Sequence, residues 1–186
     1  MKQTLQEIFK EIGNNTGVDV GCNDKNGVHT YLGVYDKLFE PYRDGCSILE
    51  IGLALGDSII LWDKYFDNSK IVGVDISIVF GELKSYNNNN DKFILEADAT
   101  KPDFLKYIKD YKFDIVVDDG SHVTDNQIDT FNLLKPFMSK NSIYILEDIL
   151  ALDIERDKYL ALHDNVEIID MRDNGRFDNV LIIYKF

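Results

Sequence analysis

The sequence predicts an α/β protein with one doubly wound, mostly parallel seven-stranded sheet that carries one antiparallel strand. Three observations predict it. From Ser47 onward, short apolar segments alternate with segments of helical periodicity. The apolar segments are bounded by helices, as in a sheet covered on both faces. The last two apolar segments are joined by too short a link for a parallel crossover, which needs a dozen or more residues.

Each element follows from its local pattern. Leu5, Ile8, Phe9 and Ile12 recur at helical spacing, so a helix is expected over residues 3–12, stopped by Gly13-Asn14-Asn15. A polar stretch from Thr16 to Thr30 follows, and Tyr35, Leu38, Phe39 and Tyr42 mark a second helix with Pro41 near its end. Residues 1–45 thus form a helical segment packing on or covering the core. Strands are expected over 47–51, 70–75, 92–96, 113–118, 142–146, 166–171 and 179–184. Helices are expected over 57–66, 79–86, 103–111, 124–138 and 153–162, and the asparagine run 87–90 reads as a loop. The Asp173-Asn174-Gly175 turn forces the final pair of strands to be antiparallel, placing one reversed strand at the end of the sheet.

Composition narrows the class of partner. With 186 residues, 45% of them hydrophobic, the chain suits one domain with a sizeable core. Thirty-three acidic against 20 basic residues leave a net charge of −13, which repels nucleic-acid backbones and anionic membrane surfaces alike. Cys22 and Cys46 match no zinc pattern and read as reduced thiols of a cytoplasmic protein. The N-terminus has no apolar run of signal-peptide type, and no segment approaches membrane-spanning length.

The chemistry-bearing residues collect at the carboxyl ends of the strands, where open parallel sheets bind ligands. Glu50, Asp75, Asp98, Asp118-Asp119 and Glu147-Asp148 fall there on five strands in succession. One such acid is most simply a helix N-cap; five in a row point to a site that binds hydroxyls, amines or a cation. Between the first strand and its helix, Gly52-Leu53-Ala54-Leu55-Gly56 provides a glycine turn with G-x-x-x-G spacing. It does not meet the G-x-G-x-x-G dinucleotide fingerprint, which disfavours a nicotinamide dehydrogenase. Asp75 is placed to accept hydrogen bonds from ribose hydroxyls, and Asp98 to meet an adenine amine.

These residues resemble a family. Glu50-Ile51-Gly52, Asp75 and Asp98 are similar to the S-adenosylmethionine (SAM)-binding elements of class I methyltransferases. Four segments sharpen the likeness: Asp24-Lys25 with His29 and Tyr31; Leu49 to Gly52 with Gly56 to Trp62; Asp118-Asp119-Gly120-Ser121-His122; and Leu146-Glu147-Asp148. Together they resemble the metal-dependent sugar O-methyltransferases of macrolide biosynthesis, the mycinamicin and macrocin type, and relatives described near cephalosporin hydroxylases. The macrolide enzymes carry an additional N-terminal domain, whereas this sequence supplies the catalytic core and a short helix pair.

The resemblance implies a Rossmann-like methyltransferase fold. It implies SAM held by Glu50, Gly52, Gly56, Asp75, Asp98 and Asp118. It also implies magnesium, or another hard divalent cation, held by Asp119, Glu147 and Asp148, with His122 as the base. The acceptor is then a hydroxyl of a sugar or similar small molecule. Three carboxylates suit magnesium, which prefers oxygen ligands and retains waters or substrate oxygens. Two alternatives stay open: a metal-free methyltransferase, and a SAM- or nucleotide-binding module without turnover. Residues 13–31, or a neighbouring subunit of a homo-oligomer, are expected to complete the pocket, with Lys25 and His29 on a loop over the cofactor. Arg172 and Arg176 read as surface partners of Asp173 or Asp178, His163 as a solvated or capping residue, and Trp62 and Tyr65 as helix packing.

Overall fold

A computed structural model describes residues 2–16, 25, 29–78 and 91–186, with residues 13–16 by backbone only. The helix expected over 79–86, the asparagine run and Cys22 lie outside the described residues. The first helix, α1 (Leu5–Thr16), opens with a reciprocal cap. Thr4 Oγ1 accepts from the Glu7 amide at 3.2 Å, while Glu7 accepts from the Thr4 amide at 2.8 Å. Gly13-Asn14-Asn15 does not end α1 but lies inside its last turn, because glycine and asparagine weaken a helix without blocking its hydrogen bonds. The second helix, α2 (Leu32–Phe39), runs into a 3-10 turn, Glu40–Tyr42. Pro41 is tolerated there because an initial helical position has no use for its missing N–H.

The sheet comprises β1 (Ser47–Ile51), β2 (Lys70–Asp75), β3 (Lys92–Glu96), β4 (Phe113–Asp118), β5 (Met138–Leu146), β6 (Val166–Asp170) and β7 (Val180–Lys185). Its order is β3-β2-β1-β4-β5-β7-β6. The first five strands in that order are parallel, and β7 runs antiparallel to both neighbours. The single reversed strand is therefore present as expected, but it lies inside the sheet, with β6 at the edge. Composition explains the exchange: β7 is apolar from Val180 to Tyr184 and buried along that run, whereas Val166-Glu167-Ile168-Ile169-Asp170 is only partly buried.

Helices α3 (Asp57–Tyr65), α4 (Leu105–Ile108), α5 (Thr124–Leu134) and α6 (Leu152–Leu160) complete the described elements. Two segments are shorter than their periodicity predicts. The 103–111 segment is a 3-10 turn, Pro102–Phe104, followed by the single-turn α4. The 124–138 segment gives way to a further 3-10 turn, Lys135–Phe137, which holds Pro136, and β5 begins at Met138.

Side chains alternate across the sheet into two cores. Ile48, Ile71, Ile115, Ile143 and Leu181 pack with α1, α2 and α3 around Trp62, Tyr35 and Phe39. Leu49, Val72, Val116, Tyr144 and Ile182 pack on the other face with Phe104, Phe131 and Tyr159. The strand order reverses between β1 and β4, whose ends register Ile51 against Asp118. This switch point opens a crevice at the carboxyl edge of the sheet.

Candidate active site

Backbone sterics build the centre of that crevice. Gly52 follows β1 with φ +81°, and a Cβ there would lie 2.0 Å from the Asp119 carbonyl oxygen, so only glycine fits. Ala54 is also left-handed, at φ +44°, and Gly56 at φ +85° caps α3. Asp75 turns toward this loop: Oδ2 accepts from the Leu53 amide at 2.7 Å and Oδ1 from the Ser77 amide at 2.9 Å.

Two adjoining cavities meet at Gly52, Asp75 and Gly120. One, of about 410 Å³, runs between Ile76, Asp98, Asp118 and Gln127. Ile76 is 73% exposed and gives it an apolar wall beside the carboxylates. The other, of about 290 Å³, is lined by Lys25, Leu53, Asp57, Asp119 and His122. Asp98 Oδ1 accepts from the Thr100 hydroxyl and amide, and these bonds hold its carboxyl below the usual range. Asp118 is buried and accepts from the Tyr144 hydroxyl at 3.1 Å; burial pushes its pKa up to about 7.

Beside the smaller cavity lies a cluster of acids. Asp119, His122 and Asp148 present ligand atoms within 4.8 Å of one another. His122 Nε2 is 4.0 Å from both Asp119 Oδ1 and Asp148 Oδ2. His122 and Asp148 both adopt left-handed backbone, at φ +55° and +54°, a conformation uncommon outside glycine that Asp and His enter more readily than most residues. His122 Nδ1 is buried and makes no hydrogen bond among the described residues. Tyr31 donates its hydroxyl to Asp148 Oδ1 at 2.6 Å. His29 Nε2 sits 3.4 Å from both Asp148 Oδ1 and Asp178 Oδ1, and Arg176 closes the group by donating to Asp178 at 2.9 Å.

Glu147 is oriented differently. Its Oε1 accepts from Lys25 Nζ at 2.7 Å and from the Tyr35 hydroxyl at 2.6 Å. The same ammonium donates to Asp119 Oδ2 at 2.6 Å and lies 3.5 Å from Glu50 Oε1. Burial opposes the Lys25 charge, yet the Asp119, Glu147 and Glu50 carboxylates raise its pKa well above the ordinary lysine value. Burial, joined by the charge of Asp119, raises the Glu147 and Asp148 carboxyls. Glu50 rises to about 6, chiefly by burial. Among the described residues the cluster thus holds more carboxylates than Lys25 offsets, a setting that a proton or a hard cation relieves.

The structure therefore gathers Gly52, Gly56, Asp75, Asp98 and Asp118 around the switch point, and Asp119, His122 and Asp148 beside it. Two expected residues stand elsewhere. Glu50 lines neither cavity; it is fully buried and accepts from Trp62 Nε1 at 2.9 Å, because it occupies an inward position within β1. Glu147 is adjacent to the Asp119–His122–Asp148 group but engaged by Lys25 and Tyr35. Trp62 and Tyr65 are core residues as expected, and His163 accepts from the Asn165 amide in a local turn. Arg176 pairs with Asp178, whereas Arg172 pairs with Asp170 and Asp153 and not with Asp173. Sequence reasoning missed Tyr35 and Ile76. The i, i+4 spacing of Tyr31 and Tyr35 on one helix face was the available signal for the first.

This seven-stranded order with a reversed β7, opening at the β1–β4 crevice, defines the Rossmann-like fold of class I SAM-dependent methyltransferases. Among solved structures, the chain superposes over its full length on MycE methyltransferase from the mycinamycin biosynthetic pathway, in complex with Mg and SAH. The TM-score is 0.75 at 22% identity, and 55% of that chain is covered. By sequence the chain is similar to the 8-demethyl-8-alpha-L-rhamnosyl tetracenomycin-C 2'-O-methyltransferase of Streptomyces olivaceus, at 33% identity over 137 residues. It is also similar to the L-olivosyl-oleandolide 3-O-methyltransferase of Streptomyces antibioticus, at 30% over 132 residues. These matches take in 68% and 66% of the chain but only 35% and 33% of the relatives, so each match spans about a third of the relative's length. No protein-family model matches the sequence.

Proposed function

We propose that this chain is a SAM-dependent O-methyltransferase, assisted by a divalent metal, that methylates a hydroxyl of a sugar or similar small molecule. The observation that carries the proposal is the convergence of Asp119, His122 and Asp148 to within 4.8 Å of one another, beside the Gly52–Asp75 crevice whose cavity Asp119 and His122 line. The residues present fit both groups. The larger cavity offers carboxylate acceptors at Asp75 and Asp98 and an apolar wall at Ile76, the chemistry that a ribose and an adenine require. Hard oxygen ligands at Asp119 and Asp148, with Glu147 next to them, suit magnesium.

When bound, SAM supplies an electrophilic methyl group and the cation polarises an acceptor hydroxyl. The chain does the rest. Gly52 lets the backbone approach the cofactor closely, while Asp75 and Asp98 fix it by its hydroxyls and ring. Asp119 and Asp148, with Glu147 recruited to them, hold the cation. His122 Nε2, poised between Asp119 and Asp148, takes the acceptor proton. The net charge of −13 favours a small neutral acceptor over a nucleic acid. Among the described residues no helix is long and apolar enough to cross a membrane.

Calorimetry with SAM, followed by methyl transfer from labelled SAM to a panel of free and carrier-linked sugars, tests this reading. Magnesium-dependent product formation is expected, and chelation should abolish it. His122→Ala should retain SAM binding and lose 10²–10⁴-fold in kcat. Failure of the wild type to bind SAM would refute the proposal.

A further inference from the structure

Asp119 and Glu147 cannot both serve a metal ion in the arrangement described, because Lys25 stands between them. Its Nζ lies 2.6 Å from Asp119 Oδ2 and 2.7 Å from Glu147 Oε1. Magnesium binds oxygen at about 2.0–2.1 Å in an octahedron, so an ion that takes both of these oxygens must occupy the space the ammonium fills. A second seat for the ammonium is already built. Glu50 is fully buried, its Oε2 is satisfied by Trp62, and its Oε1 makes no hydrogen bond among the described residues. That Oε1 lies 3.5 Å from Lys25 Nζ, near enough to be reached by a small side-chain movement. A buried carboxylate oxygen without a hydrogen bond is costly unless some state of the protein satisfies it.

We propose that Lys25 is an internal stand-in for the divalent cation, holding Asp119 and Glu147 together in its absence and moving onto Glu50 when the ion arrives. This rests on the metal-assisted reading above. The two seats keep the lysine paired in both states, its charge offsetting part of the Asp119–Glu147 charge in one and that of Glu50 in the other, while the ion takes over Asp119 and Glu147. They also make ion binding a competition with a tethered charge, so affinity is set by the difference between the two lysine positions.

Manganese serves as the probe, measured by calorimetry on the metal-free protein without SAM. Lys25→Met should bind Mn²⁺ about tenfold or more tightly than the wild type, the size of an ordinary coupling between two sites. Unchanged or weaker binding by a folded variant would overturn the proposal. Because loss of a buried counter-charge can itself unfold the variant, wild-type crystals grown with Mn²⁺ supply a second measurement. The expected result is anomalous density at Asp119, Glu147 and Asp148, with Lys25 Nζ about 3 Å from Glu50 Oε1. Manganese seated on Asp119, His122 and Asp148 with Lys25 still on Glu147 would overturn the lysine movement alone. Absence of Mn²⁺ uptake by the wild type would overturn the metal reading and this inference with it.

Discussion

Single residues at the switch point carry sharp expectations. A side chain at Gly52 meets the Asp119 carbonyl and a left-handed backbone at once. Gly52→Ala should therefore destabilise the protein by about 3 kcal/mol or more, read as a lowered urea midpoint, and should impair SAM binding. Asp118 gives a pH signature. Its folded pKa, pushed to about 7, lies above that of an aspartate in the unfolded chain. The folded state then holds the extra proton between these values, so stability falls as pH rises from about 4 to 7 and levels off above. Denaturation of metal-free Asp118→Asn across that range should show a flatter dependence than the wild type. Most of these positions were legible in the sequence because each ends a strand. Glu50 was legible as a strand-end acid but not as an inward-facing one, since a register difference of one residue decides which face a side chain takes.

At the scale of elements, α2 links the packing of the core to the site. Tyr31, Tyr35 and Phe39 recur along it, Tyr35 stacks on Phe39 with centroids 4.7 Å apart, and the two tyrosine hydroxyls end on Asp148 and Glu147. Tyr35→Phe keeps the stack and removes one donor from a buried carboxylate. It should cost about 1–3 kcal/mol in denaturant titration, and the loss should shrink when magnesium is present. Four of the five parallel strands were read at their observed bounds because their apolar runs are short and bounded, whereas β5 starts at Met138, four residues before the expected Ser142. The helix over 103–111 was overextended because its apolar pattern outlasts the 3-10 turn and single helical turn that begin at Pro102, and that over 124–138 because the pattern continues through Pro136, where the backbone changes conformation. The placement of β7 inside the sheet needed a comparison of the two last strands with each other, which local pattern alone does not make.

The whole molecule joins two parts of the chain that lie far apart in sequence. Residues from Ser47 onward build the sheet and most of the lining of both cavities, while Lys25, His29 and Tyr31 come from the N-terminal segment and close the acid cluster from across the chain, up to 149 positions away. That long-range closure is invisible to spacing rules, which explains why Lys25, His29 and Tyr31 were singled out only through the family resemblance and their pairing with Asp119, Glu147 and Asp148 was not. It also predicts that SAM and magnesium, by binding only the folded arrangement, raise the midpoint of thermal unfolding by several degrees, and more together than the sum of each alone. A shift that is merely additive in scanning fluorimetry would argue against coupling between the two cavities.

Gly52 and Gly120 face both hollows yet offer them no side chains, so the partition between the chambers is thin. Whatever settles first on one side becomes part of the wall for the other. An acceptor would then meet a surface only half made of protein, and spent cofactor would linger behind a product that has yet to leave. Initial-rate kinetics should accordingly reveal an ordered queue, donor in before acceptor and methylated product out before the donor's remnant.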